Sequence, residues 1–148
     1  MPSDFHQLIV MRLAAALFAF VTAQRLGQVR FAPLRVRLGA GKFREPDLMF
    51  VTAAHDDRRG EQYWQPPDLV VEVISPDDPR RDRVVKRREY AQAGIPEYWL
   101  IDPAAATVEV YLLPGQGYKL DRTLQAGDEL TSDQLPGWTL AVADLFKA

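Results

Sequence analysis

The chain has 148 residues, 47% hydrophobic and 26% charged, with a net charge of −2, which fits one domain with its own core and excludes a disordered polar chain. The lack of cysteine excludes disulfides, thiolate metal sites and a cysteine nucleophile, and two histidines exclude a His-rich metal centre. Mild acidity excludes a global nucleic-acid footprint, so any such site has to be a local basic patch. A cysteine-free chain suits a reducing cytoplasm, where it is expected to work. No uninterrupted run reaches the roughly 18 apolar residues of a membrane span, so no membrane partner is expected. The longest apolar run, Leu13 to Thr22, lacks the basic start and small-residue cleavage site of a leader.

Residues 4–25 read as a helix capped by Asp4 and ended by Leu26-Gly27, with Leu8, Ile9, Leu13, Leu17, Phe20 and Val21 at helical spacing. His6 lies in its first turn, either as a surface or capping residue or as a group behind an active site. Residues 28–38 alternate as one strand with a bulge or bend at Pro33. Gly39-Ala40-Gly41 is a turn, and Glu45-Pro46-Asp47 opens a strand that runs to Val51. Residues 53–66 are polar and read as an exposed loop.

Pro67-Asp68-Leu69-Val70-Val71-Glu72-Val73-Ile74-Ser75-Pro76 is a run of β-formers bounded by prolines. It is apolar on both faces, which places it in the middle of a covered sheet. A basic helix from about Arg80 to Ala93 ends at Gly94, and Tyr98 to Asp102 form the next buried strand. The helix between them is a crossover, so these two strands should be parallel. Residues 107–113 and 118–122 pair as a hairpin, and the tail holds a short strand near Trp138 and a short helix from Val142. The order predicts a single α/β domain over residues 1–148, a central mixed β-sheet flanked by helices.

Glu72 carries the chemical question. A carboxylate in a core strand costs several kcal/mol unless it has a metal, a cation or a raised pKa, and pairing with one of the many arginines is the structural alternative. Asp68 shares its face but lies about 13 Å along the strand, too far for both to bind one ion directly. Asp47 opens a neighbouring strand and reaches Glu72 sideways across about 4.8 Å. Two hard oxygen ligands on adjacent strands describe a magnesium site that can activate water and stabilise a phosphodiester under attack.

Glu45-Pro46-Asp47 followed by the Pro67 to Pro76 run resembles the signature of the PD-(D/E)XK nuclease superfamily. The later set Asp82, Lys86, Tyr90 and Gly94-Ile95-Pro96-Glu97-Tyr98-Trp99-Leu100-Ile101-Asp102 resembles one branch of it, the Uma family of bacterial endonucleases. The resemblance runs from about His6 to Tyr118. It implies a restriction-endonuclease-like core with Asp47 and Glu72 as ligands of Mg²⁺ or Mn²⁺. In the superfamily a lysine stands two residues after the acid, where this chain has Ile74, and the resemblance assigns that lysine to Lys86 on the following helix. Family members also carry a segment ahead of the helix holding the His6 position, and this chain begins almost at that helix; of the acids that the N-terminal region supplies elsewhere, it offers only Asp4.

The expected function is metal-dependent hydrolysis of DNA phosphodiesters by Asp47, Glu72 and Lys86. Asp68, His6 and Tyr90 stand behind them, and Arg83 and Arg87 bind the phosphate backbone of duplex DNA. The rival is an inactive protein of nuclease fold that binds nucleic acid or serves as a dimeric module. On the basic helix, the plainer reading is a solvated face with Asp82 and Glu89 as partners of the arginines. A homodimer is expected, because many nucleases of this fold cut duplexes as dimers and because Trp99, Trp138, Phe146 and the 13–20 stretch exceed what one small core needs.

Overall fold

The computed structural model describes residues 2–148. A long helix, α1 (Asp4–Gln24), opens the chain. Its cap is Ser3 rather than Asp4: Ser3 has the extended backbone of a cap, and its side chain accepts from the His6 N–H at 3.0 Å. Asp4 is instead the first helical residue and is exposed. Arg25 turns left-handed (φ 53°), and the Leu26 N–H reaches back to the Val21 carbonyl at 3.0 Å, closing the helix. By length and composition α1 is apolar enough to cross a membrane. Its Ile9, Leu13, Leu17 and Val21 stripe packs on the sheet.

The central sheet has six strands: β1 (Gly27–Phe31), β4 (Leu48–Thr52), β6 (Leu69–Val73), β7 (Glu97–Asp102), β8 (Thr107–Leu112) and β9 (Lys119–Leu124), in that spatial order. Gly27 opens β1 where the backbone runs so close to Val51 that a Cβ would fall 1.9 Å from its carbonyl oxygen. β6 and β7 are parallel, joined by the crossover helix α2 (Arg80–Gln92), and the other pairings are antiparallel.

The expected single strand over 28–38 is two strands in two sheets. The chain turns at the cis Ala32–Pro33 peptide, and β2 (Arg35–Gly39) leaves the central sheet to pair with β3 (Lys42–Arg44) and, in parallel, with β5 (Tyr63–Trp64). The segment expected to be an exposed loop therefore supplies a 3-10 helix (Ala53–Arg58) and a strand whose Trp64 is fully buried. Near the C-terminus β10 (Glu129–Leu130) pairs with β11 (Leu140–Ala141), ahead of the short helix α3 (Ala143–Phe146).

Both faces of the central sheet are covered. The α1 stripe packs on Leu69, Val71, Val73, Trp99 and Ile101. On the other face, Tyr90 of α2 with Val36 and Trp64 of the small sheet covers Met49, Val51, Val70, Tyr98 and Leu100. All five residues of β6 are buried, Glu72 among them. The aromatic surplus expected to drive pairing of two copies is largely absorbed by the core: Trp99 and Trp138 stack 5.8 Å apart at 13°, and Phe146 packs against the same cluster.

Candidate active site

The antiparallel register that pairs Leu48 with Val71 carries Asp47, one residue before β4, alongside Glu72. Asp47 Oδ2 accepts from the Val73 N–H at 2.7 Å, which ties the acid to the strand that holds Glu72. The Nε2 of His6 lies 3.0 Å from the Val73 carbonyl and 3.5 Å from the same Asp47 oxygen. The Ser3 cap fixes the turn that places His6 there. Its Nδ1 has no hydrogen-bond partner, an uncommon state for a buried nitrogen.

Glu72 is reached from the other side by α2. Lys86 Nζ stands 3.4 Å from Glu72 Oε2, and the Tyr90 hydroxyl donates to Oε1 at 3.1 Å. These residues are one helical turn apart, so both point at the same carboxylate. Burial, followed by the negative charge of Asp47, pushes the Glu72 carboxyl up to about 7, against the pull of Lys86. Asp47 is raised in the same direction by burial, opposed by the Val73 N–H and by His6 and Lys86. Tyr90 is driven well above its ordinary value, first by burial and then by Glu72, and so stays a donor.

Asp68 stands apart from this cluster. It accepts from the Thr52 N–H at 2.7 Å and lies 2.8 Å from His55 Nδ1, with Arg58 at 3.5 Å. It pins the 3-10 helix to the sheet.

The cluster opens into a cleft of ≈ 380 Å³ lined by Glu72, Lys86, Tyr90, Arg35, Phe43, Arg44 and Glu45. Sequence reasoning missed the small-sheet wall, because it read residues 28–38 as one strand. Arg35 sits over the Phe43 ring at 4.4 Å, and Arg44 is ion-paired with Glu89 of α2. Lys42 pairs with the same carboxylate at 3.3 Å. Glu89, which the plainer reading of the helix paired with its own arginines, is thus spent on β3.

Arg83 and Arg87 do not line this cleft. They line a second cleft of ≈ 400 Å³ with Arg80, Asp102, Glu109 and Tyr111, and Arg83 also borders Glu72 and Lys86. Arg87 donates to the Tyr111 hydroxyl at 2.9 Å, and Arg83 donates to the Asp78 carbonyl at 3.2 Å.

Two acids on neighbouring strands, a helix-borne lysine and a covered mixed sheet define a protein of nuclease-like fold. Residues 1–143 match the Uma2 family, described as "Putative restriction endonuclease", and the chain belongs to that family. A crystal structure of "a putative nuclease belonging to DUF820" from Anabaena variabilis shares the fold, with a TM-score of 0.82 and 22% identity over 99% of this chain and 82% of that one. No curated protein sequence matches the chain.

Proposed function

We propose that the chain is a Mg²⁺- or Mn²⁺-dependent endonuclease hydrolysing phosphodiester bonds of duplex DNA. The observation that carries this reading is the meeting of Asp47 and Glu72 with a single lysine. Two adjacent carboxylates with one lysine are short of positive charge, and the charge of Asp47 adds to the upward push that burial gives Glu72. Among the described residues no three histidines, cysteines, aspartates or glutamates are placed to hold a metal ion together, so Asp47 and Glu72 would be its only protein ligands of these kinds. Two hard oxygen donors, with remaining positions left to water and phosphate, suit a magnesium ion. When bound there, such an ion supplies an activated water and neutralises charge on the phosphate.

The protein's own groups divide the rest of the work. Asp47 and Glu72 hold the ion. Tyr90 fixes the Glu72 carboxylate by its hydroxyl proton. His6 holds the Val73 carbonyl and the Asp47 side chain in register. Lys86 presents a point charge to the non-bridging oxygens of the scissile phosphate, where charge accumulates during attack. Two copies pair through the exposed apolar face on which Met11, Phe18 and Phe31 stand 62%, 57% and 62% accessible; a monomer by sedimentation at tens of micromolar would refute that pairing.

The test is calorimetric and enzymatic. Mn²⁺ is expected to bind the wild-type chain and not Glu72→Gln, and plasmid cleavage is expected only with the wild type and a divalent ion. Equal Mn²⁺ binding by the variant removes Glu72 from the site. A wild-type chain that binds DNA but cuts nothing with either ion leaves the non-hydrolytic, nucleic-acid-binding reading in its place.

A further inference from the structure

α2 presents three rows of side chains with different surroundings. Lys86 and Tyr90 face Glu72 and the first cleft. Arg80, Arg83 and Arg87 line the second cleft, on the adjoining side of the helix, and Arg83 also borders the space beside Glu72 and Lys86. The third row, Arg81, Val85 and Arg88, points to solvent, with Val85 43% exposed and the Arg81 side chain 90% exposed.

A solvated helix face would be laced with its own acids, and this one is not. Glu89 is committed to Arg44 and Lys42 of β3, and Asp82 comes no nearer than 3.9 Å to Arg81. Among the described residues, Arg80, Arg83, Arg87 and Arg88 have no carboxylate within ion-pair distance. The acids of the second cleft are already engaged: Asp102 accepts from the Ala104 and Ala105 N–H groups, and Glu109 accepts from the Tyr111 hydroxyl. Asp78, beside Arg83, accepts from the Ser75 N–H, and Glu45 stands on the rim of the first cleft.

We infer that α2 lies in the major groove of duplex DNA, with one phosphate backbone in each flanking cleft and with Arg81, Val85 and Arg88 against the base edges. The dimensions agree: a helix with its side chains is about 10–12 Å across, and the major groove of B-DNA is about 12 Å wide. A single strand would leave one basic cleft empty; a duplex fills both. The strand entering the first cleft meets Glu72 and Lys86, while the other is held by the Arg80 row. Arginine forks suit guanine edges, and a valine between them suits a thymine methyl group. The inference rests on the nuclease reading for the nature of the polymer.

Binding is measured in EDTA, where no divalent ion is free for cleavage, by anisotropy of labelled DNA with the full chain. Three results are expected. A duplex whose cytosines carry glucosylated 5-hydroxymethyl groups, which fill the major groove, binds at least roughly 10-fold more weakly, while netropsin in the minor groove changes nothing. Arg80→Ala with Arg83→Ala and Arg87→Ala lowers affinity for all sequences alike and reduces the salt slope by roughly 2–3. Arg88→Ala changes which sequences are enriched from a random duplex library. Undiminished binding to the glucosylated duplex, or competition by netropsin, overturns the inference; so does binding of single strands as tightly as duplexes. Cleavage with Mg²⁺ is scored separately. A chain that binds as expected but never cuts keeps the inference and loses the nuclease reading. One that cuts without major-groove dependence keeps the nuclease reading and loses the inference.

Discussion

Glu72 and Glu97 occupy neighbouring parallel strands, both are nearly enclosed, and burial raises both carboxyls. Their company differs. Glu97 accepts from the Trp99 indole at 2.6 Å and from the Ser132 hydroxyl at 2.8 Å, two neutral donors that satisfy it in place. Glu72 shares its space with a second acid and a lysine, and a cleft opens onto it. Burial alone therefore does not mark a working carboxylate. What sets Glu72 apart is a crowded charge balance beside a cleft.

The largest expected effect that separates the two concerns Lys86. Lys86→Ala should slow Mg²⁺-dependent cleavage by about 10²–10³ while leaving Mn²⁺ affinity and melting temperature nearly unchanged. Cleavage at the wild-type rate would take the lysine out of the chemistry.

The pH dependence of stability sharpens the contrast. In the unfolded chain Glu72 releases its proton near its ordinary 4.5, and in the folded chain near 7. Between those values the folded protein binds more protons, so stability without divalent ions falls as pH rises and levels off above about 7. Urea titrations at pH 5 and 7.5 should show this fall in the wild type and a flatter profile in Glu72→Gln. Added Mn²⁺ should oppose the fall at pH 7.5. A wild type no less stable at pH 7.5 than at pH 5 would contradict the raised carboxyl.

Glu97→Ala should behave in the opposite way. It strands two buried donors at about 1–3 kcal/mol each, visible as a lower urea midpoint, while the folded fraction cuts normally. A loss of cleavage in fully folded Glu97→Ala would dissolve the distinction between the two acids. The smallest effect belongs to Asp68→Asn, which should cost about 1 kcal/mol of stability with no change in Mn²⁺ affinity. Weakened metal binding there would bring Asp68 into the site.

The two Pro-Asp pairs show how far local sequence carries. Each precedes a strand of β-formers, and nothing in the dipeptides tells them apart. Antiparallel pairing does: it brings the start of β4 beside the far end of β6, so Asp47 meets Glu72 while Asp68 stays at the opposite end. The Glu72 strand was legible because a β-branched run between prolines has few other conformations. The parallel pairing of β6 with β7 followed from the helix between them. The small sheet was not legible, because its parallel β2–β5 contact joins segments about 28 residues apart, and local propensity holds no record of that pairing. With it went Arg35, Phe43 and Arg44, one whole wall of the cleft. The Trp99–Trp138 stack was hidden for the same reason, which turned core aromatics into an apparent surplus.

The three rows of α2 also bear on how this protein can change over generations. Lys86 and Tyr90 are tied to Glu72, so a substitution in their row takes a partner from that carboxylate. Arg81 and Val85 project outward from the same 13-residue helix, and neither has a contact with that cluster. Their row can be substituted without altering the geometry on the inner side. One short helix thus carries two rows that can be substituted independently, one tied to the buried carboxylate and one facing solvent.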